Sequence, residues 1–119
     1  MDYPVDMVAG DSRTIEIAVI DEETGAAFDL ETLAAASWWM AADARTAVAD
    51  VPLKKTLGAG IAVKGLPSAG ILAVALDPAD TQDIPPAGYY HEAEIALTDG
   101  TVKTVYAGAM RIRPGLIRG

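Results

Sequence analysis

The chain of 119 residues is long enough for one domain of ordinary size and too short for two domains with separate cores. Hydrophobic residues make up 51% of it and charged residues 22%, so the composition favours a packed core over disorder. The 17 acidic residues outnumber the 9 basic ones, which opposes nucleic-acid binding, and without Cys neither a disulfide nor a thiolate metal site can form.

Residues 1–11 show no regular hydrophobic period, and we interpret them as an N-terminal arm or edge segment. They also lack the charged and apolar regions of a signal peptide, and no apolar run in the chain is long enough to span a membrane. We therefore expect the protein to fold in a cytoplasm and to have no membrane partner.

Alternation of apolar and polar residues predicts the first two strands. Residues 12–20 place Ile15, Ile17 and Val19 on one side, which is the pattern of a half-buried strand. Residues 36–43 contain Trp38 and Trp39, and aromatic residues favour a strand. The pattern leaves open which of the two tryptophans points inward.

Three shorter strands and one helical turn follow. Residues 51–57, 61–63 and 71–76 read as strands separated by glycine-containing turns. Asp77 followed by Pro78 predicts the start of a single helical turn, because Asp is a good N-cap and Pro suits the first helical position.

Residues 88–113 predict a long β-hairpin around Asp99-Gly100, a pair that suits a two-residue type I′ loop. This loop would place one set of side chains on the buried face: Ala93, Ile95, Leu97, Val102, Thr104 and Tyr106. The solvated face would carry Glu92, Glu94, Ala96, Lys103, Val105, Arg111 and Arg113, with cross-strand charge pairs among them.

These elements predict an all-β protein, specifically an antiparallel immunoglobulin-like β-sandwich of about seven strands with one short helical turn. The sandwich domain would span residues 12–114, and residues 115–119 would form a short C-terminal tail.

Two clusters invite a chemical interpretation, and neither supports one. His91 lies beside Glu92 and Glu94, but in a strand the imidazole points away from both carboxylates, so a metal site or an acid–base pair is disfavoured. Asp77, Asp80 and Asp83 do not have the spacing of a calcium loop. We therefore predict no catalytic site, no metal and no cofactor, and hence no enzyme.

The order of residues adds a resemblance to a known family. Its marks include Trp38-Trp39, Gly70-Ile71-Leu72, the run from Leu76 to Thr81, Pro86-Ala87-Gly88-Tyr89-Tyr90-His91-Glu92, Thr98-Asp99-Gly100 and Arg113-Pro114. Over roughly residues 10–114 the chain resembles the small immunoglobulin-like structural proteins of tailed bacteriophages and prophages, with the baseplate upper protein N-terminal domain as the nearest named type. The resemblance implies a virion protein made in a bacterial cytoplasm.

The expected function is therefore a non-enzymatic assembly module that docks through sheet edges and terminal arms on itself, as a symmetric oligomer, or on other phage structural proteins. The candidate interaction residues are Tyr3, Val5 and Met7 in the arm and Arg111, Arg113 and Arg118 near the C-terminus. An alternative is a β-sandwich domain that binds carbohydrate or a host surface through exposed aromatic side chains.

Overall fold

The computed structural model describes residues 5–116 and confirms an all-β protein. The strands are β1 (Val5–Val8), β2 (Arg13–Ala18), β3 (Leu33–Ala41), β4 (Leu53–Leu57), β5 (Gly60–Val63), β6 (Ile71–Leu76), β7 (Ala87–Leu97) and β8 (Val102–Arg113). A single α-helical turn, α1 (Pro78–Thr81), and two 3₁₀ turns (Val48–Asp50 and Pro67–Ala69) complete the elements of this part of the chain. None of these helical segments has the length and apolarity needed to cross a bilayer.

All eight strands join one sheet in the order β1-β8-β7-β3-β4-β5-β6-β2. Neighbours are antiparallel except β1 with β8 and β4 with β5, which are parallel. The β4–β5 pairing is confined to Thr56 with Gly60 and Leu57 with Ile61. The two edges of the sheet, β1 and β2, are consecutive strands of the chain, so the short connection between them keeps the edges close together. The sheet therefore curls into a nearly barrel-like shape around one core.

Alternate side chains of the strands fill that core, as the sequence predicts for residues 12–20 and 71–76. In β2, Ile15 and Ile17 are buried, and their partners in β6 are Val74 and Leu72. Val19 is buried just beyond β2. A one-residue shift in register would exchange these side chains for polar ones, so burial holds the register.

Residues Val5–Val8 of the predicted arm or edge segment form an edge strand of the same sheet. Residues Val5–Val8 pair with Met110 to Arg113 of β8, and Val5 and Met7 are buried in the core. The prediction that these two side chains fill pockets on a partner is therefore corrected: they fill the chain's own core.

The β7–β8 hairpin forms, but its loop differs from the prediction. Leu97 N–H donates to the Thr101 carbonyl at 2.8 Å, and Gly100 N–H donates to the Leu97 carbonyl at 2.9 Å. Among residues 5–116 only glycines have positive φ, so Asp99 cannot occupy a type I′ turn. The loop has three residues, Thr98 to Gly100, and Gly100 alone takes the left-handed conformation, with φ of 89°.

The extra loop residue shifts the register by one, and a β-bulge shifts it back. Near the turn Ala96 pairs with Val102 and Ile95 with Lys103, so the predicted pairs of Leu97 with Val102 and Ile95 with Thr104 are wrong. The irregularity at Val105 then restores the predicted pair of Ala93 with Tyr106. Lys103 and Val105 consequently turn toward the core side, while Val102 and Thr104 are exposed.

The helical turn begins where the sequence predicts. Asp77 is the N-cap, its N–H donates to the Asp80 carboxylate at 2.7 Å, and Pro78 opens the turn. Asp80 also forms an ion pair with Lys55 of β4 at 2.8 Å, and both side chains are largely shielded from solvent. Burial is the largest single effect on Asp80 and would raise its pKa, but the hydrogen bond from Lys55, the hydrogen bond from the Asp77 N–H and the charge of Lys55 together outweigh it, so the pKa is lowered. The turn thereby ties β6 to β4 across one end of the sheet.

A groove on the outer face of β3 and β7

The His91 imidazole lies in the centre of the core, away from any surface site. Its side chain is fully buried, and its Nδ1 accepts a hydrogen bond from Trp38 Nε1 at 3.0 Å. The ring also packs against Tyr106, with 4.8 Å between ring centroids. Burial lowers the pKa of His91 from its ordinary 6.5 to about 4, so the imidazole is neutral at pH 7.

This geometry decides which tryptophan points inward. Trp38 is fully buried, whereas Trp39 is partly exposed on the opposite face of β3. Because Nδ1 of His91 accepts the indole proton, the imidazole carries its own proton on Nε2, which has no hydrogen-bond partner within residues 5–116. His91 is a core residue and is not available for metal binding or general base catalysis.

Glu92 and Glu94 lie on the outer face, as the alternation predicts, but the predicted cross-strand charge pairs do not form. The neighbours of Glu92 are Trp39 in β3 and Ala107 in β8. Those of Glu94 are Ser37 and Thr104. Neither carboxylate therefore has a basic residue directly opposite it on either side.

The basic residues near the C-terminus are engaged elsewhere. Arg111 Nη2 and Arg113 Nε contact the two carboxylate oxygens of Asp6 in β1, at 2.5 and 2.9 Å. The Arg111 hydrogen bond is the largest of the effects that lower the pKa of Asp6. Both candidate arginines thus hold β1 against β8 in the same chain. The other two candidates, Tyr3 and Arg118, lie outside the described residues.

A groove of about 360 Å³ runs along the outer face of β3 and β7 beneath the loop of residues 42–51. Its floor is formed by alternate residues of the two strands and its wall by the loop. The lining residues are Ser37, Trp39, Ala41, Asp43, Ala44, Thr46, Val48, Val51, Tyr90, Glu92 and Glu94. A neighbouring hollow of about 290 Å³ shares Asp43, Ala44 and Tyr90 with it. We call the first of these, the groove of about 360 Å³, the outer-face groove.

The floor of the outer-face groove carries two aromatic rings, Trp39 and Tyr90, and two carboxylates, Glu92 and Glu94. Tyr90 Oη donates to Glu92 Oε2 at 2.7 Å, and this bond raises the pKa of Tyr90. Lys54 Nζ sits 4.5 Å from the centre of the Trp39 ring, within the range of a cation–π contact. The groove thus offers an aromatic surface, one carboxylate already oriented by Tyr90, and the exposed carboxylate of Glu94.

The loop that walls the groove is held by its own turn. Asp43 Oδ1 accepts from the Arg45 N–H at 2.8 Å, and the Thr46 N–H donates to the Asp43 carbonyl at 3.4 Å. Val48 on this loop is 61% exposed, an unusual exposure for a large apolar side chain beside a groove.

The groove supplies binding groups without a metal-binding cluster. Within residues 5–116 no group of three or more His, Asp or Glu side chains is placed to hold a metal ion. Of the groove residues, sequence reasoning singled out Glu92 and Glu94 but missed Trp39, Tyr90 and Asp43. The alternation around buried Trp38 and His91 could have found Trp39 and Tyr90, because each is the sequence neighbour of an inward residue.

Comparison of the chain with protein-family models and with curated proteins found no match.

Proposed function

We propose that the chain is a non-enzymatic structural module of a tailed-phage or prophage particle, and that it binds another virion protein through the outer-face groove. The phage assignment rests on the resemblance in residue order described above. The observation that carries the binding role is the groove itself, in which Trp39, Tyr90 and Glu94 are accessible from solvent on a rigid two-strand floor.

We also propose that the curled sheet is an immunoglobulin-like sandwich. In support, β1, β8, β7, β3 and β4 form one antiparallel half closed by a parallel strand, and β5, β6 and β2 form the other. Among residues 5–116, strand pairing between the two halves is confined to the corner between β4 and β5, while side-chain contacts such as Lys55 with Asp80 and Arg13 with the Asp6 carbonyl also join them. Their apolar faces share one core, as the two layers of a sandwich do.

The core aromatics give the same classification independent support. The Tyr89 hydroxyl donates to the carbonyl of Pro85 just before β7, as in the tyrosine corner of immunoglobulin-like domains. His91 follows two residues later and packs edge-on against Trp38 of β3, where antibody domains place a disulfide cysteine against a tryptophan. His91 thus stands where one of those cysteines would be, and it contacts a tryptophan of the neighbouring strand.

We expect the protein to dock on its partner through the groove and not through a free N-terminal arm. Strand β1 already occupies the edge of β8, and Asp6 already engages Arg111 and Arg113. The outer face of β3, β7 and β8, by contrast, carries small exposed side chains beside the groove, such as Ala35 and Ala107. A flat face with a central groove suits the surface of a second protein, including another copy of this chain.

Carbohydrate binding is the second candidate, because Trp39 and Tyr90 present partly exposed rings beside carboxylates. One contact disfavours it: the Tyr90 hydroxyl, to which a sugar would bond, already donates to Glu92.

The proposal can be tested on phage particles purified from a bacterium that encodes the chain. A photo-crosslinking amino acid at Ala107, on the outer face, is compared with one at Thr14, which is exposed on β2 in the other half of the sheet. We expect the chain in the particles at a fixed ratio to the main structural proteins, with adducts from position 107 and none from position 14. A chain that is absent from particles and monomeric at high concentration would refute the proposal.

A further inference from the structure

The outer-face groove has more negative charge than its own cations neutralise. The Glu94 side chain is exposed, and its carboxylate makes no hydrogen bond or ion pair within residues 5–116. Its cross-strand neighbours, Ser37 and Thr104, are both uncharged. An opposite charge across a strand pair is stabilising, and the Glu94 carboxylate has none, so it can pair with a cation from outside.

The basic side chains of this region do not supply that cation. Lys54 lies over the Trp39 ring, and Lys103 lies over Phe28 at 5.2 Å, on the core side of the sheet. Arg45 belongs to the wall loop but does not line the groove. The Lys54 contact shows that the Trp39 ring attracts a cation to its face.

The floor pairs an aromatic surface with a carboxylate at a useful spacing. Trp39 stands opposite Glu92, so Glu94, two residues further along β7, is its diagonal neighbour at about 7 Å. A planar guanidinium can stack on an aromatic ring and fork to a carboxylate at the same time, which an ammonium group cannot do. The net charge of −8 would favour the approach of a basic segment to the protein.

We propose that the outer-face groove receives an arginine side chain presented by a partner protein, with Glu94 as its carboxylate and Trp39 as its stacking surface. This inference rests on the proposed function and specifies the partner's chemistry. A neutral sugar would leave Glu94 without a counter-charge, so it fits this site less well than an arginine does.

The test is a titration of the ¹⁵N-labelled full chain with the peptide acetyl-Gly-Arg-Gly-amide, followed by NMR. Trp39 and Trp38 report through their indole N–H signals, and the buried Trp38, bonded to His91, is an internal control. We expect shifts at the Trp39 indole and along β3 and β7, with the Trp38 indole unmoved. The same peptide with citrulline, which keeps the shape but not the charge, should cause no shift.

Two matched variants locate the interaction. Glu94→Gln should weaken peptide binding about fivefold, the size of a partly shielded charge-assisted pair. Glu31→Gln removes the same charge from an exposed position outside the groove and should leave binding unchanged. Both side chains are exposed, so both variants should fold.

Several results would overturn the inference: equal binding of the citrulline peptide, equal loss in both variants, no localised shift, or a Trp39 shift caused by cellotriose in place of the peptide. If position 107 nevertheless forms adducts with a virion protein, the proposed function stands and only the arginine assignment falls. If neither peptide nor adducts are found, both fall.

Discussion

Acid should destabilise this protein through His91 over a defined pH range. The imidazole titrates at about 6.5 in the unfolded chain and at about 4 in the folded protein. Between these values the unfolded chain binds a proton that the folded protein does not, so the free energy of unfolding falls as the pH falls. The stabilisation is complete above pH 6.5, and the whole interval corresponds to about 3 kcal/mol.

His91→Gln isolates this effect, because a glutamine can still accept the hydrogen bond from Trp38 but does not titrate. Urea unfolding followed by tryptophan fluorescence at steps from pH 7 to pH 4.5 gives the free energies. The wild type should lose stability by up to about 1.4 kcal/mol per pH unit relative to the variant. Asp6, Asp80 and Asp99, whose pKa values are lowered from 3.8, lose their stabilisation mainly below that value and do so in both proteins, so the comparison cancels their effect. Parallel curves for the two proteins would refute the reasoning.

Two paired substitutions test the core and a turn by the same unfolding assay. Trp38→Phe removes the indole donor and leaves the imidazole nitrogen unpaired in the core, so it should cost about 2–3 kcal/mol, against less than about 1 kcal/mol for the partly exposed Trp39→Phe. Equal costs would contradict the burial difference. Gly70→Ala and Gly25→Ala both place a side chain at positive φ, with values of 67° and 74°, which costs about 1 kcal/mol each. Of these two positions, only Gly70 would place the new Cβ 2.6 Å from a backbone atom, the Phe28 carbonyl oxygen, so Gly70→Ala should cost about 3 kcal/mol. A cost equal to that at Gly25 would show that the backbone at Phe28 moves away freely.

The hairpin shows how much of a structure a turn motif in the sequence can predict. Asp-Gly predicted both the hairpin and the two strands correctly, because Gly100 must take positive φ in either loop type. The choice between a two-residue and a three-residue loop depended on Asp99, whose carboxylate accepts from the Thr101 N–H at 2.9 Å. The bulge at Val105 then cancelled the error, so the far half of the predicted register is right and the near half is wrong.

Pairing between distant segments was the main limit for the N-terminus. Val5 and Met7 have the alternation of a strand, but four residues are too few to distinguish an arm from an edge strand. Burial against Met110 and Ile112 of β8 decides the matter, and a contact across more than a hundred residues leaves no local signal.

The sequence predicts only part of the groove. Alternation placed Glu92 and Glu94 on the solvated face, but assigning them basic partners required a register that the loop and the bulge changed. The wall loop of residues 42–51 has no period and folds over β3 only in three dimensions, so nothing in its sequence indicates a groove.

Co-sedimentation with phage particles that lack the chain tests the central claim most directly. The wild-type protein and the charge-reversed variants Glu94→Arg and Glu31→Arg are mixed with these particles and centrifuged. We predict that wild type and Glu31→Arg sediment with the particles and that Glu94→Arg stays in the supernatant. Equal sedimentation of all three proteins, or a wild type that does not sediment at all, would contradict binding of a virion protein through the outer-face groove.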